Sequence, residues 1–210
     1  MPDILCFGDS NTYGTHPVAR QGARSVRYAR HTRWPCVMGT QLGDDWHLIE
    51  EGQPGRTTAF DDPIEGRRRN ARRVLPALLE SHAPLDVCVL MLGTNDQKHR
   101  FGLSGHDIAL GAAKLVQMMQ EYGGVEKILL VCPPPVTERG SLAQMFAGAE
   151  IRCADLPAEL AAQAERLGVF YLDAGKHVRV DPLDGVHLSA DSHITLGGVI
   201  AARVSDMTKE

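Results

Sequence analysis

Short apolar runs alternate along the chain with segments in which apolar residues recur at helical spacing. Side chains of a strand point alternately to its two faces, so a run that is apolar at nearly every position is typical of a strand covered on both faces. Five such runs predict the strands of a parallel sheet, over residues 4–7, 46–49, 85–92, 127–132 and 169–172.

The segments between these runs carry apolar residues three and four positions apart, which is the spacing of an amphipathic helix. They predict helices over residues 34–42, 70–82, 104–122, 142–167 and 189–207. Ser104 and Ser189 are suited to cap the first turns of two of these helices, and Gly168 is suited to end another. Pro157 is expected to divide the segment 142–167, because proline interrupts a helix interior.

Alternating strands and helices predict a single doubly wound α/β domain over residues 1–210, with right-handed crossovers. In such sheets the ligand site lies beyond the carboxyl ends of the strands, near the point where the strand order reverses. The fold would therefore gather at one edge the strings that follow the predicted strands, which are Gly8-Asp9-Ser10-Asn11, Gly52-Gln53-Pro54-Gly55, Gly93-Thr94-Asn95-Asp96, Pro133-Pro134-Pro135 and Asp184-Gly185-Val186-His187.

Three of these residue types are the ones that serine-dependent acyl transfer requires: a hydroxyl, a base that takes its proton, and a group that orients the base. Ser10 can supply the hydroxyl, on a tight turn after the first strand, and His187 can supply the base. Asp184 lies three residues before His187, so one short loop can present both side chains. The carboxylate can accept from one ring nitrogen and leave the other facing Ser10.

The tetrahedral intermediate of acyl transfer also needs hydrogen-bond donors for its oxyanion. The candidates are the backbone N–H groups of Ser10 and Gly55 and the side-chain amide of Asn95. Each string alone also occurs in ordinary turns, and Gly55 can simply serve a turn after Pro54. Their combination at separate strand ends favours catalysis.

With these motifs the sequence resembles the SGNH hydrolases, also called the GDSL esterase/lipase family. The matching blocks are Gly8-Asp9-Ser10, Gly55, Gly93-x-Asn95-Asp96 and Asp184-x-x-His187. The resemblance implies a flavodoxin-like three-layer α/β/α sandwich of five parallel strands, and serine hydrolysis without a metal or another cofactor. It implies the roles already considered: a triad of Ser10, Asp184 and His187, and an oxyanion hole of Ser10, Gly55 and Asn95.

The second block departs from the family's usual Asn-rich form and leaves two glycines, Gly52 and Gly55, as alternatives for the oxyanion donor. We assign Gly55 by counting back from the string Arg56-Thr57-Thr58.

Finer features resemble the bacterial arylesterase and acyltransferase branch of this family, namely residues 8–14, Arg33-Trp34-Pro35, Glu50-Glu51-Gly52 with Arg56-Thr57-Thr58, and residues 92–96. That resemblance implies a homo-oligomer acting on short-chain acyl esters of aryl or simple alcohols, with water, an alcohol or hydrogen peroxide as acyl acceptor. The residues expected to shape the substrate pockets are Asn11, Tyr13, Trp34, Thr94 and Pro134.

Composition limits the other classes of function. A net charge of −4 argues against a dedicated partner among nucleic acids or anionic membranes. No run approaches the roughly 18 apolar residues of a transmembrane helix. The first residues do not form a signal peptide, and the five cysteines lack paired spacing, so a cytoplasmic protein with free thiols is expected.

Arginines are concentrated in residues 65–73 and 20–33. The first segment is expected to be a solvated helix face or a subunit contact. The second belongs to a long insertion, which is expected to cover a neighbouring subunit's site and narrow its pocket. His193 is expected to face solvent, and a metal held by His187, Asp191 and His193 is disfavoured.

Two other functions fit the same motifs. A carbohydrate O-deacetylase, a thioesterase or a lysophospholipase would use the same triad on a different ester. A flavodoxin-like binding module would keep the fold with an unreactive Ser10.

Overall fold

Five parallel strands form one sheet in the order β2-β1-β3-β4-β5, in a computed structural model that describes residues 1–209. The strands are β1 Asp3–Gly8, β2 His47–Gly52, β3 Leu85–Met91, β4 Val125–Cys132 and β5 Phe170–Asp173. The predicted parallel sheet is confirmed. β2 extends beyond its apolar run because Glu50 and Glu51 pair through their backbone with β1, so the polarity of their side chains does not end the strand.

Seven α-helices flank this sheet in the described part of the chain: α1 Ser10–Tyr13, α2 Trp34–Leu42, α3 Ala71–His82, α4 Gly105–Tyr122, α5 Ala149–Arg152, α6 Leu156–Leu167 and α7 Ala190–Met207. Ser104 and Ser189 cap α4 and α7, and Gly168 ends α6, as their positions predict. The segment 142–167 is divided next to Pro157, as expected, but the break precedes the proline. Pro157 occupies the first turn of α6, where a missing N–H costs nothing, and the chain turns at residues 153–155 instead.

The sheet separates two apolar cores, because consecutive strand residues point to opposite faces. On one face Leu5 and Phe7 pack with residues of α3, α4 and α6. On the other face Ile4 and Cys6 pack with residues of α2 and α7. This arrangement is the α/β/α sandwich that the resemblance implied, and it explains why the central strands are apolar at nearly every position.

The strand order places the reversal point at β1, which pairs with β2 on one side and β3 on the other. At the carboxyl end of β1, Gly8 is paired with Gly52 of β2 and with Met91 of β3. The loops after these three strands therefore start from one point of the sheet edge. Within residues 1–209, no helix has the length and apolar character needed to cross a membrane.

Candidate active site

Ser10 begins a one-turn helix immediately after β1. The Asp9 side chain accepts from the Asn11 N–H at 2.9 Å and so caps this turn. Gly8 is needed for a close approach, because a Cβ there would lie 2.0 Å from Thr12 Oγ1 and 2.8 Å from the Met91 carbonyl oxygen. The turn therefore fits tightly against the sheet and presents the Ser10 hydroxyl at its edge.

The structure brings Ser10, His187 and Asp184 together in one hydrogen-bonded chain. The Ser10 Oγ lies 3.1 Å from His187 Nε2, and His187 Nδ1 lies 2.6 Å from Asp184 Oδ2. Both distances are those of hydrogen bonds. A carboxylate at Nδ1 holds the proton of a neutral imidazole there, which leaves Nε2 free to accept from a serine hydroxyl.

Asp184 is fully buried, and four N–H donors surround its carboxylate. Oδ1 accepts from the backbone N–H groups of Val186 and His187, each at 2.9 Å. Oδ2 accepts from Val18 N–H at 2.8 Å as well as from the His187 ring. Burial by itself would raise the pKa of Asp184, but the hydrogen bonds and the charge of His187 outweigh it, and the pKa is lowered.

Asn11 holds the loop that carries His187. Its Nδ2 donates to the Val186 carbonyl at 3.1 Å, and its Oδ1 accepts from Leu188 N–H at 3.0 Å. These contacts bracket His187 on both sides. The Asn11 amide is buried, and both of its ends are occupied by this loop.

Asn95 approaches Ser10 from the end of β3. Its Nδ2 donates to the Arg56 carbonyl at 3.1 Å and lies 3.5 Å from Asp9 Oδ2. The amide therefore stands between the turn that carries Ser10 and the loop that follows β2.

The two glycines of the loop after β2 differ in their surroundings. Gly52 lies in the strand, where a Cβ would come within 2.2 Å of the Tyr13 nitrogen, so packing against the Ser10 turn accounts for glycine there. Gly55 lies in the turn beyond the strand with a φ of 80°. Its backbone conformation is one that residues with a side chain rarely adopt.

The family model for GDSL-like lipases and acylhydrolases matches residues 6–195, which span both the Ser10 turn and the His187 loop. The chain belongs to this family. The match covers most of the chain and includes strands β2 to β5 and the end of β1 as well as the Ser10 turn and the His187 loop.

Two solved structures are similar to this acylhydrolase over nearly its whole length. A carbohydrate acetylesterase from Sinorhizobium meliloti is 39% identical, with a TM-score of 0.93, covering 99% of this chain and 100% of the other. The aryl esterase of M. smegmatis is also 39% identical, with a TM-score of 0.93, covering 98% of this chain and 99% of the other. No curated protein matches the sequence. Family and structural similarity together identify the acylhydrolase as a carboxylic ester hydrolase.

The other residues expected at the substrate pocket have different environments. Trp34 is fully buried in the core between the sheet, α2 and α7, where its indole ring packs with core residues of that face. Thr94 and Pro134 are buried near the ends of their strands. Tyr13 is half-buried, with the Arg27 guanidinium 4.3 Å from the centre of its ring.

His193 does not face solvent, contrary to expectation. It is fully buried in the first turn of α7, and its Nδ1 accepts a hydrogen bond at 3.4 Å from the backbone N–H of Trp34, the first residue of α2. Burial lowers the pKa of His193 to about 3, so the ring is neutral at ordinary pH. Sequence reasoning missed this because the helical position alone does not show which neighbour covers the ring.

The long insertion contacts the candidate active site of its own chain. Val18 donates its N–H to Asp184, and the Val18 carbonyl accepts from the Ser141 hydroxyl. Tyr28 stacks on His16, with ring centres 3.6 Å apart. The hydrogen bond from Val18 to Asp184 makes the insertion part of the surroundings of the candidate active site.

Sequence reasoning also missed a group of charged residues around the Gly55 turn. Glu65 accepts from Lys98 and from Arg100, each at 2.6 Å, and lies 3.3 Å from Arg69. Arg69 donates to the Pro54 carbonyl, so it turns inward from the arginine-rich segment that was expected to be a solvated face. Because these charges come from distant positions, only their arrangement in space identifies the group.

Proposed function

We propose that this acylhydrolase cleaves short-chain acyl esters of aryl or simple alcohols through an acyl-serine intermediate. The observation that carries the proposal is the chain of two hydrogen bonds from Ser10 through His187 to Asp184, at 3.1 Å and 2.6 Å. Such a chain activates a serine hydroxyl for attack on an ester carbonyl.

In the proposed first half-reaction, Ser10 Oγ forms a bond to the ester carbonyl carbon while its proton passes to His187 Nε2. The carbonyl oxygen becomes an oxyanion, which accepts hydrogen bonds from Ser10 N–H, Gly55 N–H and the Asn95 amide. When this intermediate collapses, the bond to the alcohol oxygen breaks and His187 returns the proton to that oxygen. The acyl group remains on Ser10.

In the second half-reaction, a water molecule attacks the acyl carbon as His187 takes one of its protons. Collapse of the second intermediate breaks the bond to Ser10 Oγ, which regains a proton from His187, and the carboxylic acid leaves. Asp184 fixes the orientation of the imidazole throughout and stabilises its charged form. An alcohol in place of water would receive the acyl group, which is the proposed basis of acyl transfer.

The proposal of a short acyl group is supported by limited access to the reacting atoms. Ser10, Asn95 and His187 are only 5%, 5% and 9% exposed. A small acetyl group reaches a carbonyl position between such residues with less displacement than a long chain.

The leaving group has a second candidate. The similar structures include a carbohydrate acetylesterase as well as an aryl esterase, at the same 39% identity. Acetylated sugars are therefore the alternative substrate class, with the same chemistry at Ser10.

An active-site probe tests the proposed nucleophile. A fluorophosphonate labels only an activated serine, so the wild type should be labelled and Ser10→Ala should not. Hydrolysis of p-nitrophenyl acetate by Ser10→Ala should fall by roughly 10⁴-fold or more. The control is Ser205→Ala, on the last turns of α7, which should keep both labelling and activity. Labelling that persists in Ser10→Ala would reject the assignment.

A panel of esters then separates the substrate classes. Initial rates on p-nitrophenyl acetate, butyrate and octanoate should decrease with chain length. A higher kcat/KM on an acetylated sugar than on any aryl ester would favour the carbohydrate alternative. Thioester and lysophospholipid substrates complete the panel.

A further inference from the structure

The proposed oxyanion donors lie on two loops that follow strands not paired directly with each other. Gly55 follows β2 and Asn95 follows β3, and β1 lies between these strands in the sheet. An oxyanion hole works only when its donors sit at about 2.7–3.1 Å from one point. The separation of the two loops must therefore be set by contacts beyond the ends of the strands.

The most buried of these contacts joins Asp96 to Thr58. Asp96 Oδ1 accepts from the Thr58 backbone N–H at 2.9 Å and from Thr58 Oγ1 at 2.5 Å, and Asp96 Oδ2 lies 3.1 Å from the same N–H. Asp96 follows Asn95 directly, and Thr58 is three residues beyond Gly55. The pair thus connects the two donor-bearing loops next to the donors themselves.

Helix α4 seals the Asp96–Thr58 pair from solvent. A Cβ at Gly111 would come within 2.3 Å of Thr58 Oγ1 and 2.9 Å of the Phe60 ring, so the helix backbone lies directly on Thr58. Asp96 and Thr58 are both fully buried. The Thr58 hydroxyl and the carboxylate therefore depend on each other rather than on water for their hydrogen bonds.

A second set of contacts joins the same loops closer to the surface. Glu65 links Lys98 and Arg100 to Arg69, and Arg100 also donates to the fully buried Asp62 at 2.8 Å. Lys98 is buried, whereas Glu65, Arg69 and Arg100 each keep at least a fifth of their side chain exposed, so solvent partly screens these ion pairs. The Asp96–Thr58 pair is fully buried and lies closer in sequence to both donors, so it is the more direct constraint on their separation.

We propose that Asp96 and Thr58 are positioning residues that set the distance between the Gly55 and Asn95 oxyanion donors. Neither residue reaches the substrate, because both are enclosed by the two loops and α4. This inference rests on the proposed function, since it presupposes that Gly55 and Asn95 serve one oxyanion.

A buried carboxylate is a costly choice if the position needs only packing. Burial disfavours the charged form, whereas a pair of apolar side chains of similar volume fills the same space without that penalty. Three polar contacts to one residue instead specify direction and distance, which is what donor placement requires.

The test replaces the Thr58 hydroxyl by a methyl group of the same size. Thr58→Val should lower kcat on p-nitrophenyl acetate by about tenfold with KM changed by less than about twofold, because small misplacement of donors affects the transition state. Thr58→Ser, which keeps the hydroxyl, should restore kcat to within about twofold of wild type. Thermal denaturation establishes that each variant is folded.

The matched control is Thr57→Val. Thr57 is also fully buried, and its hydroxyl donates to the Phe60 carbonyl at 2.6 Å instead of to Asp96. It should lose stability like Thr58→Val but keep kcat. An equal fall of kcat in both variants would overturn the proposal, as would wild-type kcat in Thr58→Val.

A double variant shows whether the pair acts through the oxyanion hole. In an Asn95→Ala background, adding Thr58→Val should lower kcat by less than about twofold, because the donor that the pair positions is already gone. A full tenfold loss in that background would refute the proposal. If Thr58→Val does not fold, Asp96→Asn carries the same comparisons.

Failure of the proposed function has a different signature. Wild-type activity in Ser10→Ala would reject the proposed nucleophile, and wild-type activity in Asn95→Ala would reject the proposed oxyanion hole. Inactive Ser10→Ala and impaired Asn95→Ala, together with fully active Thr58→Val, would instead reject only the role of the Asp96–Thr58 pair.

Discussion

The Asn95 side chain shows how much one residue depends on its exact neighbours. Its Nδ2 is directed at once toward the Arg56 carbonyl, at 3.1 Å, and Asp9, at 3.5 Å. The amide is thereby oriented with its nitrogen, a donor, toward the Ser10 turn. A carboxylate in the same place would offer only acceptors and would repel an oxyanion.

At the residue scale, we therefore predict that Asn95→Ala lowers kcat by roughly 10²–10³-fold with little change in KM. The same substitution leaves the Arg56 carbonyl without this donor, which costs about 1 kcal/mol of folding stability. Steady-state kinetics on p-nitrophenyl acetate, paired with denaturant unfolding, separates the two effects. A rise in KM alone would contradict the oxyanion role.

Ser10 and Asn95 were recognisable as candidate site residues from the sequence because each stands in a short string after a predicted strand. Asn11 stands in the same string, yet its amide serves the His187 loop, which lies 175 residues away along the chain. A string identifies residue types near a site but not the direction in which each side chain points.

At the scale of elements, the insertion before α2 and the loop carrying His187 form one unit. Val18 donates one of the four N–H groups that surround Asp184, and Ser141 donates to the Val18 carbonyl. The orientation of Asp184 thus depends on a segment 166 residues earlier in the sequence. Removing that donor should loosen the carboxylate that holds His187.

We predict that Val18→Pro, which removes the N–H, lowers kcat by about tenfold, because His187 is then held less firmly relative to Ser10. Val18→Ala is the matched control: it keeps the N–H and loses only the apolar side chain. Its kcat should stay within about twofold of wild type. Continuous assays with p-nitrophenyl acetate measure both, and an equal fall in the two variants would show that packing, not the hydrogen bond, is responsible.

At the scale of the whole molecule, two buried titratable groups make the free energy of unfolding depend on pH in opposite directions. His193 has its pKa lowered by burial to about 3, and Asp96 has its pKa raised by burial to about 6. Between about pH 6.5 and 3 the unfolded chain binds a proton at His193 and the native state does not, so this group makes stability fall on acidification. Between about pH 6 and 4 native Asp96 binds a proton that the unfolded chain does not, so this group makes stability rise.

We predict that His193→Asn reduces the loss of stability between pH 7 and pH 4.5. The Asn side chain keeps an acceptor for the backbone N–H of Trp34 but does not titrate. The difference from wild type should be on the order of a few kcal/mol, because each tenfold difference in proton affinity between the folded and unfolded chain is worth about 1.4 kcal/mol. Urea unfolding at the two pH values measures it.

Asp96→Asn is the opposing control. It removes the group whose native protonation offsets the effect of His193, so stability should fall more steeply on acidification than in wild type. If His193→Asn lost as much stability between pH 7 and pH 4.5 as the wild type, the pKa of this histidine would not differ between the native and unfolded states.

The sequence by itself determined the five strands, the main helices and the chemical types that follow each strand, because periodicity and turn residues are local properties. It also predicted that Ser10, Asp184 and His187 belong to one site, since the carboxyl ends of parallel strands lie at the same edge of a sheet. Only the tertiary structure decided which polar side chains are enclosed. Asp96 with Thr58, Val18 with Asp184 and His193 with Trp34 are pairs 38, 166 and 159 residues apart, and their contacts arise from the order of the strands and the packing of helices on the sheet.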